Sequence, residues 1–201
     1  MKILALDTSS GTSVAILSDA EVLAEINIAD NMTHSESIGA AIRDCLAKAS
    51  IKPVGIDRVV VGLGPGPFTG LRVGIAAAKF FAIGANAELV GICSLDAIAY
   101  EYYSLGNLGR LLVETDARRK EHFWAVYEGL SHSVPIRSFG PNVSKPEVID
   151  RVGLVETENV VSAASLGKIS FHQGTQVNRV IQPIYLREPD VSPSKGKKVS
   201  G

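Results

Sequence analysis

Cysteine is nearly absent: Cys45 and Cys93 are the only two, far apart and each in an apolar setting. That excludes a disulfide scaffold or a thiolate zinc cage, and it suits a reducing cytosol. Strong charge of either sign is lacking too, with a formal net charge of −1. No global basic field exists to hold nucleic acid unaided, so a role on RNA would leave most phosphate contacts to a partner. No uninterrupted apolar run approaches membrane-spanning length, and the N-terminus turns polar at Asp7, too early for a secretory signal core. A cytoplasmic protein with no membrane partner is expected. The four histidines, His34, His122, His132 and His172, include no pair four residues apart, so no helix aims two imidazoles at one metal ion. No metal ligands are assigned, and His34 reads as a helix-start residue rather than a ligand.

What is present reads as soluble and globular: 201 residues, 46% hydrophobic and 20% charged. That is one large domain or two lobes, long enough for a real core. The chain is organised around Gly62–Gly74, GLGPGPFTGLRVG, which joins a β-branched run at 58–61 to a segment of helical character. Glycines and prolines at this density demand a fixed loop. Two nucleotide-binding signatures fail on spacing. A Walker A loop needs Lys and Ser/Thr after its second glycine, where Leu71 and Arg72 follow Gly70; a Rossmann fingerprint needs a glycine where Pro67 stands.

Upstream, apolar runs at 3–6 and 13–17 flank a polar turn, which predicts a β-hairpin. A third strand at 21–28 puts Val22, Ala24, Ile26 and Ile28 on one face. Thr33 and Glu36 form a capping box for a helix with Ile38, Ala41, Ile42, Cys45, Leu46 and Ala49 on its apolar stripe. Thr69 is read as the N-cap of the helix after the central loop, and Ser94 as the cap of a helix running to Tyr103. A second hairpin then repeats the first: a strand at 111–116 ends in Asp116, a polar turn holds Arg118 and Arg119, and 121–127 alternates as a strand. This weak duplication predicts two like lobes facing across a cleft. Further expectations are a strand at 134–139, a short helix at 145–152, a final strand at 181–186 and a disordered basic tail. The lobes are placed at 1–106 and 107–188, with the tail at 189–201.

Two functions are open to Asp7 and Asp116. As paired cleft acids they would hold a metal–phosphate, with Ser9 beside them. As Asx residues they would only order their own turns. No residue is assigned as catalytic, because Ser9 and Ser10 lack a base partner in sequence. Small residues mark both early helices: Gly39, Ala40 and Ala47 on the first, Gly70, Gly74, Ala77 and Ala78 on the second. They predict a four-helix contact with a second copy or a paralogue, unless they serve only to bring the helices onto the sheet.

A hairpin with an acidic turn, repeated, resembles the actin/Hsp70/sugar-kinase (ASKHA) superfamily, an α/β, ribonuclease H-like fold of two lobes. Within it the chain resembles the TsaB (YeaZ-type, glycoprotease M22-like) family of the tRNA threonylcarbamoyladenosine machinery. The matching segments are 3–9, Thr33-His34-Ser35-Glu36, Gly64–Gly74 with Gly66, Phe68, Thr69 and Arg72, and 116–121, with 183–187 as a closing segment. Against the family, the region from 150 to 180 is short, so the second lobe is expected to be small and incomplete. The resemblance implies a noncatalytic dimerization and activating subunit. It pairs with a catalytic paralogue, TsaD, joined by an ATPase, TsaE, in a complex that adds threonylcarbamoyl to N6 of adenosine 37 of tRNA. It also implies a possible homodimer, no cofactor of its own, and ATP and a metal ion used by the partner subunits. The alternative is a stand-alone ASKHA-type small-molecule kinase or ATPase.

Overall fold

A computed structural model describes residues 1–29, 34–157, 160–174 and 177–187, with backbone only for 34–36. Thr33 and the tail at 189–201 lie outside the described residues, and the side chains of His34 and Glu36 outside the described side chains.

The first lobe is a five-stranded sheet in the order β3-β2-β1-β4-β5. Strands β1 (Lys2–Asp7), β2 (Thr12–Ser18) and β3 (Glu21–Ile28) form an antiparallel meander, while β4 (Arg58–Gly62) and β5 (Glu88–Ile92) add in parallel. Alternation along β1 sends Leu4 and Leu6 to one face and Ile3 and Ala5 to the other. The first face is covered by α1 (His34–Ala49) and α2 (Phe68–Ala85), the second by α4 (Ala163–Gln173), on which α3 (Ser94–Ser104) packs. A bulge in the β2–β3 pairing skips Leu23, so Ala24, Ile26 and Ile28 pack inward as expected but Val22 is exposed.

The second sheet runs β8-β7-β6-β9, with β6 (Leu111–Asp116), β7 (His122–Ser131), β8 (Val134–Ser144) and β9 (Val155–Thr157). Its inner face, Leu111, Val113, Ala125 and Tyr127, joins the cluster that also holds Ile3 and Val60. The two lobes therefore share one core. Tyr127 Oη donates to Asp96 Oδ1 at 2.7 Å, and Arg137 stands 3.4 Å from the same oxygen, tying α3 to β7 and β8. Burial raises the Asp96 carboxyl above its ordinary range and pushes the neighbouring Cys93 thiol up to about 12.

Several local expectations change. The strand at 134–139 extends to Ser144, and the helix at 145–152 is one 3-10 turn, Pro146–Val148, because Pro146 and Gly153 bracket too short a run. Residues 181–186 form no strand; Ile184 N donates once, to Leu63 O at 2.8 Å. The stretch after Glu156, where the sequence sustains neither period, contains α4, capped by Ser162 accepting from Ser165 N. α2 is the one helix among the described residues long and apolar enough to cross a membrane, and its Leu71, Ile75, Ala78 and Ala82 are buried within the protein.

Candidate functional site

The first hairpin turn and the central loop are one bonded unit. Asp7 ends β1 almost wholly buried. Its Oδ1 accepts from Ser9 N at 2.7 Å and Ser9 Oγ at 2.6 Å, and its Oδ2 accepts from Ser94 Oγ at 2.5 Å. Ser94 Oγ accepts from Gly64 N at 3.0 Å, while Ser94 N donates to Gly64 O at 2.8 Å. Thr8 Oγ1 donates to Gly70 O at 2.8 Å. Ser94 is thus not the cap read from the sequence: it is the first residue of α3, behind Cys93, and its hydroxyl is spent on Asp7. Thr69 is not a cap either, since α2 opens one residue earlier behind Pro67, which has no side-chain donor or acceptor to offer.

The glycines are where this unit closes up. A Cβ on Gly62 would lie 1.7 Å from Asp7 Oδ2, one on Gly66 2.8 Å from Ser9, and one on Gly74 2.2 Å from Thr8 Oγ1. Gly64, at φ +91°, holds a backbone conformation that side chains disfavour.

The second turn copies the first. Asp116 ends β6, and its Oδ1 accepts from the N–H two residues on, Arg118 N at 2.7 Å, as Asp7 does from Ser9. Both acids therefore make Asx bonds in their own turns. Asp7 lines a cavity of about 370 Å3 with Ser13, Glu25 and Glu101, and Asp116 lines one of about 280 Å3 with Gly66 and Phe68. Arg118, Arg119 and Lys120 have φ of +59°, +57° and +61°.

The segment Pro183–Arg187 bridges loop and turn. The Tyr185 ring stacks on Phe68 with centroids 4.7 Å apart, and Arg72 sits 3.7 Å over Phe68 while its Nε donates to Tyr185 Oη at 3.1 Å. Arg187 bonds Ala117 O and pairs with Glu121 at 3.0 Å. Sequence reading missed Ser94, Tyr185 and Arg187 as parts of the site, because their contacts join residues 70 to 113 positions apart. It also missed Glu114, buried beneath Arg151, which grips both its oxygens at 2.8 Å, and His122 at 2.9 Å.

The small residues divide. Gly70, Gly74 and Ala78 are buried, facing the sheet rather than a partner, because α2 must come within contact of Thr8. Gly39 is exposed, and Ala40 and Ala77 are half-buried. The outward side of α2 instead carries Phe80 and Ile83, 76% and 77% exposed. No group of three or more His, Cys, Asp or Glu side chains is gathered for a metal ion among the described residues.

A family model described as TsaD, tRNA N6-adenosine threonylcarbamoyltransferase, matches residues 21–191. The chain belongs to this family. It is 32% identical over 209 residues to an uncharacterized protein of Mycobacterium tuberculosis, covering 95% of this chain and 94% of that one. It is 31% identical over 150 residues to the tRNA threonylcarbamoyladenosine biosynthesis protein TsaB of Escherichia coli, covering 74% of this chain and 64% of the relative. Its fold matches YeaZ from Pseudomonas aeruginosa with a TM-score of 0.79 at 22% identity, covering 92% of this chain and 99% of that one. The resemblance to the YeaZ-type branch holds, and so does an α/β fold built on two sheets.

Proposed function

We propose that this chain is the noncatalytic, partner-holding subunit of the machinery that makes threonylcarbamoyladenosine in tRNA. The observation that carries the reading is its likeness to TsaB of Escherichia coli. The site supports it, because the first acid is already engaged by Ser9 and Ser94 rather than presented to a ligand. In this reading the chain pairs with a TsaD-like catalytic paralogue, a TsaE-like ATPase joins them, and ATP and a metal ion serve those partners. The work is done in the cytoplasm, where tRNA is modified.

The partner surface is the outward side of α1 and α2, which lie side by side on one face of the sheet. Gly39, Ala40 and Ala77 give close approach there, and Phe80 and Ile83 supply exposed apolar anchors. A second copy can occupy the same surface, because like folds present like patches.

Calorimetric titration of the purified chain with ATP and magnesium separates this reading from a stand-alone kinase or ATPase. The expected result is at most weak, millimolar binding, a free energy of about −4 kcal/mol. Micromolar binding with turnover would establish the kinase reading instead.

A further inference from the structure

We propose that the cleft beside the second hairpin turn is a direct docking site for single-stranded RNA on this chain. The proposal rests on the tRNA-modification reading above. It adds that this subunit touches the RNA itself, although its net charge of −1 leaves most phosphate contacts to a partner.

The turn is the first argument. Arg118, Arg119 and Lys120 are three consecutive left-handed residues, none of them glycine or asparagine. Such backbone is costly for long side chains, and three adjacent cations repel one another. A turn that only joined β6 to β7 would be made more cheaply with Gly or Asn. Strain of this kind collects where side chains have work to do. Here it sets Arg118 and Arg119 on a cleft that Arg187 also lines. One acid, Asp116, lines it too, and its Oδ1 already accepts from Arg118 N.

The aromatic wall is the second argument. Phe68, Phe123 and Tyr185 line the same cleft. Arg72, Phe68 and Tyr185 form a fixed stack, and Tyr185 is still 40% exposed. A rigid ring takes up a base with little loss of its own freedom. Guanidinium groups for the backbone and aromatic faces for bases are what a single strand needs. The cavity, about 280 Å3, suits a base splayed from a loop rather than a duplex, whose bases stay stacked.

The test uses a short labelled RNA hairpin with an open loop, titrated against the full chain and against its complex with the catalytic paralogue. The variants are Arg118→Asn with Arg119→Asn, which keep a residue suited to the left-handed backbone, Tyr185→Leu, and Lys52→Asn as an exposed control. The arginine double variant should bind about tenfold more weakly, with a salt slope smaller by about 1.4, two phosphate contacts at roughly 0.7 each. Tyr185→Leu should weaken binding by about tenfold at unchanged slope, the loss of one stacked base. Lys52→Asn should change neither. Parental affinity in the arginine variant overturns the proposal. So does equal loss in the Lys52 control, or displacement of the hairpin by free AMP as readily as by unlabelled hairpin. Pairing with the paralogue, read in parallel, reports on the functional reading separately. If pairing fails while the cleft variants still lose RNA, that reading falls and the cleft assignment stands.

Discussion

Gly74→Arg is expected to remove the folded monomer, not merely its association. The α carbon of Gly74 sits so close to the turn after β1 that even a methyl would lie 2.2 Å from Thr8 Oγ1 and 3.2 Å from Thr8 Cβ. Thr8 cannot withdraw without breaking its bond to Gly70 O, which anchors the first turn of α2. An arginine there must either bury its charge beside Thr8 or lift α2, with its buried Ile75, Ala78 and Ala82, off the sheet. Overpacking and an unpaired buried charge each cost several kcal/mol. Their sum is more than about 4 kcal/mol, against a total stability of about 5–15 kcal/mol for a domain. Circular dichroism should show a thermal midpoint lower by at least about 10 °C, or insoluble protein. A soluble variant within a few degrees of the parent would mean that α2 does not pack as described.

Phe80→Lys and Ile83→Lys should behave in the opposite way. Both side chains are exposed on the outer side of α2, and at Ile83, in its last turn, a lysine is favourable. The monomer should stay within about 0.5 kcal/mol of the parent. Association should collapse, because an apolar anchor at the centre of an interface is worth about 2 kcal/mol or more, roughly thirtyfold in affinity. Light scattering reads the homodimer, and co-purification reads the pair with the catalytic paralogue. Undiminished pairing by both variants would place the interface elsewhere on the molecule.

These two results divide between them what the sequence read as one surface. Small residues at helical spacing said that something comes close to α2, and something does. Spacing cannot say whether the neighbour is a strand of the same chain or a helix of another. Gly70 and Gly74 meet the chain's own Thr8, and Ala78 its own core. Phe80 and Ile83, apolar as they are, stand in solvent. The first sheet and both hairpins were legible because alternation and turn residues are local signals. The Leu23 bulge, which turns Val22 outward, has no such signal. Within the site, the Asx role of Asp7 and Asp116 was legible as one of two options. The bond from Ser94 to Asp7 was not, since a serine at a helix start reads as a cap whatever lies 87 residues away.

The measurement that bears most directly on the account is threonylcarbamoyl transfer to tRNA from purified components, scored by nucleoside mass spectrometry. The donor is threonylcarbamoyl-adenylate, with the catalytic paralogue, the ATPase and this chain each omitted in turn. No modified adenosine is expected with this chain alone, and sustained modification by the paralogue only when this chain is added. Transfer by this chain alone, or full turnover by the paralogue without it, would show that this chain is not a noncatalytic activating subunit.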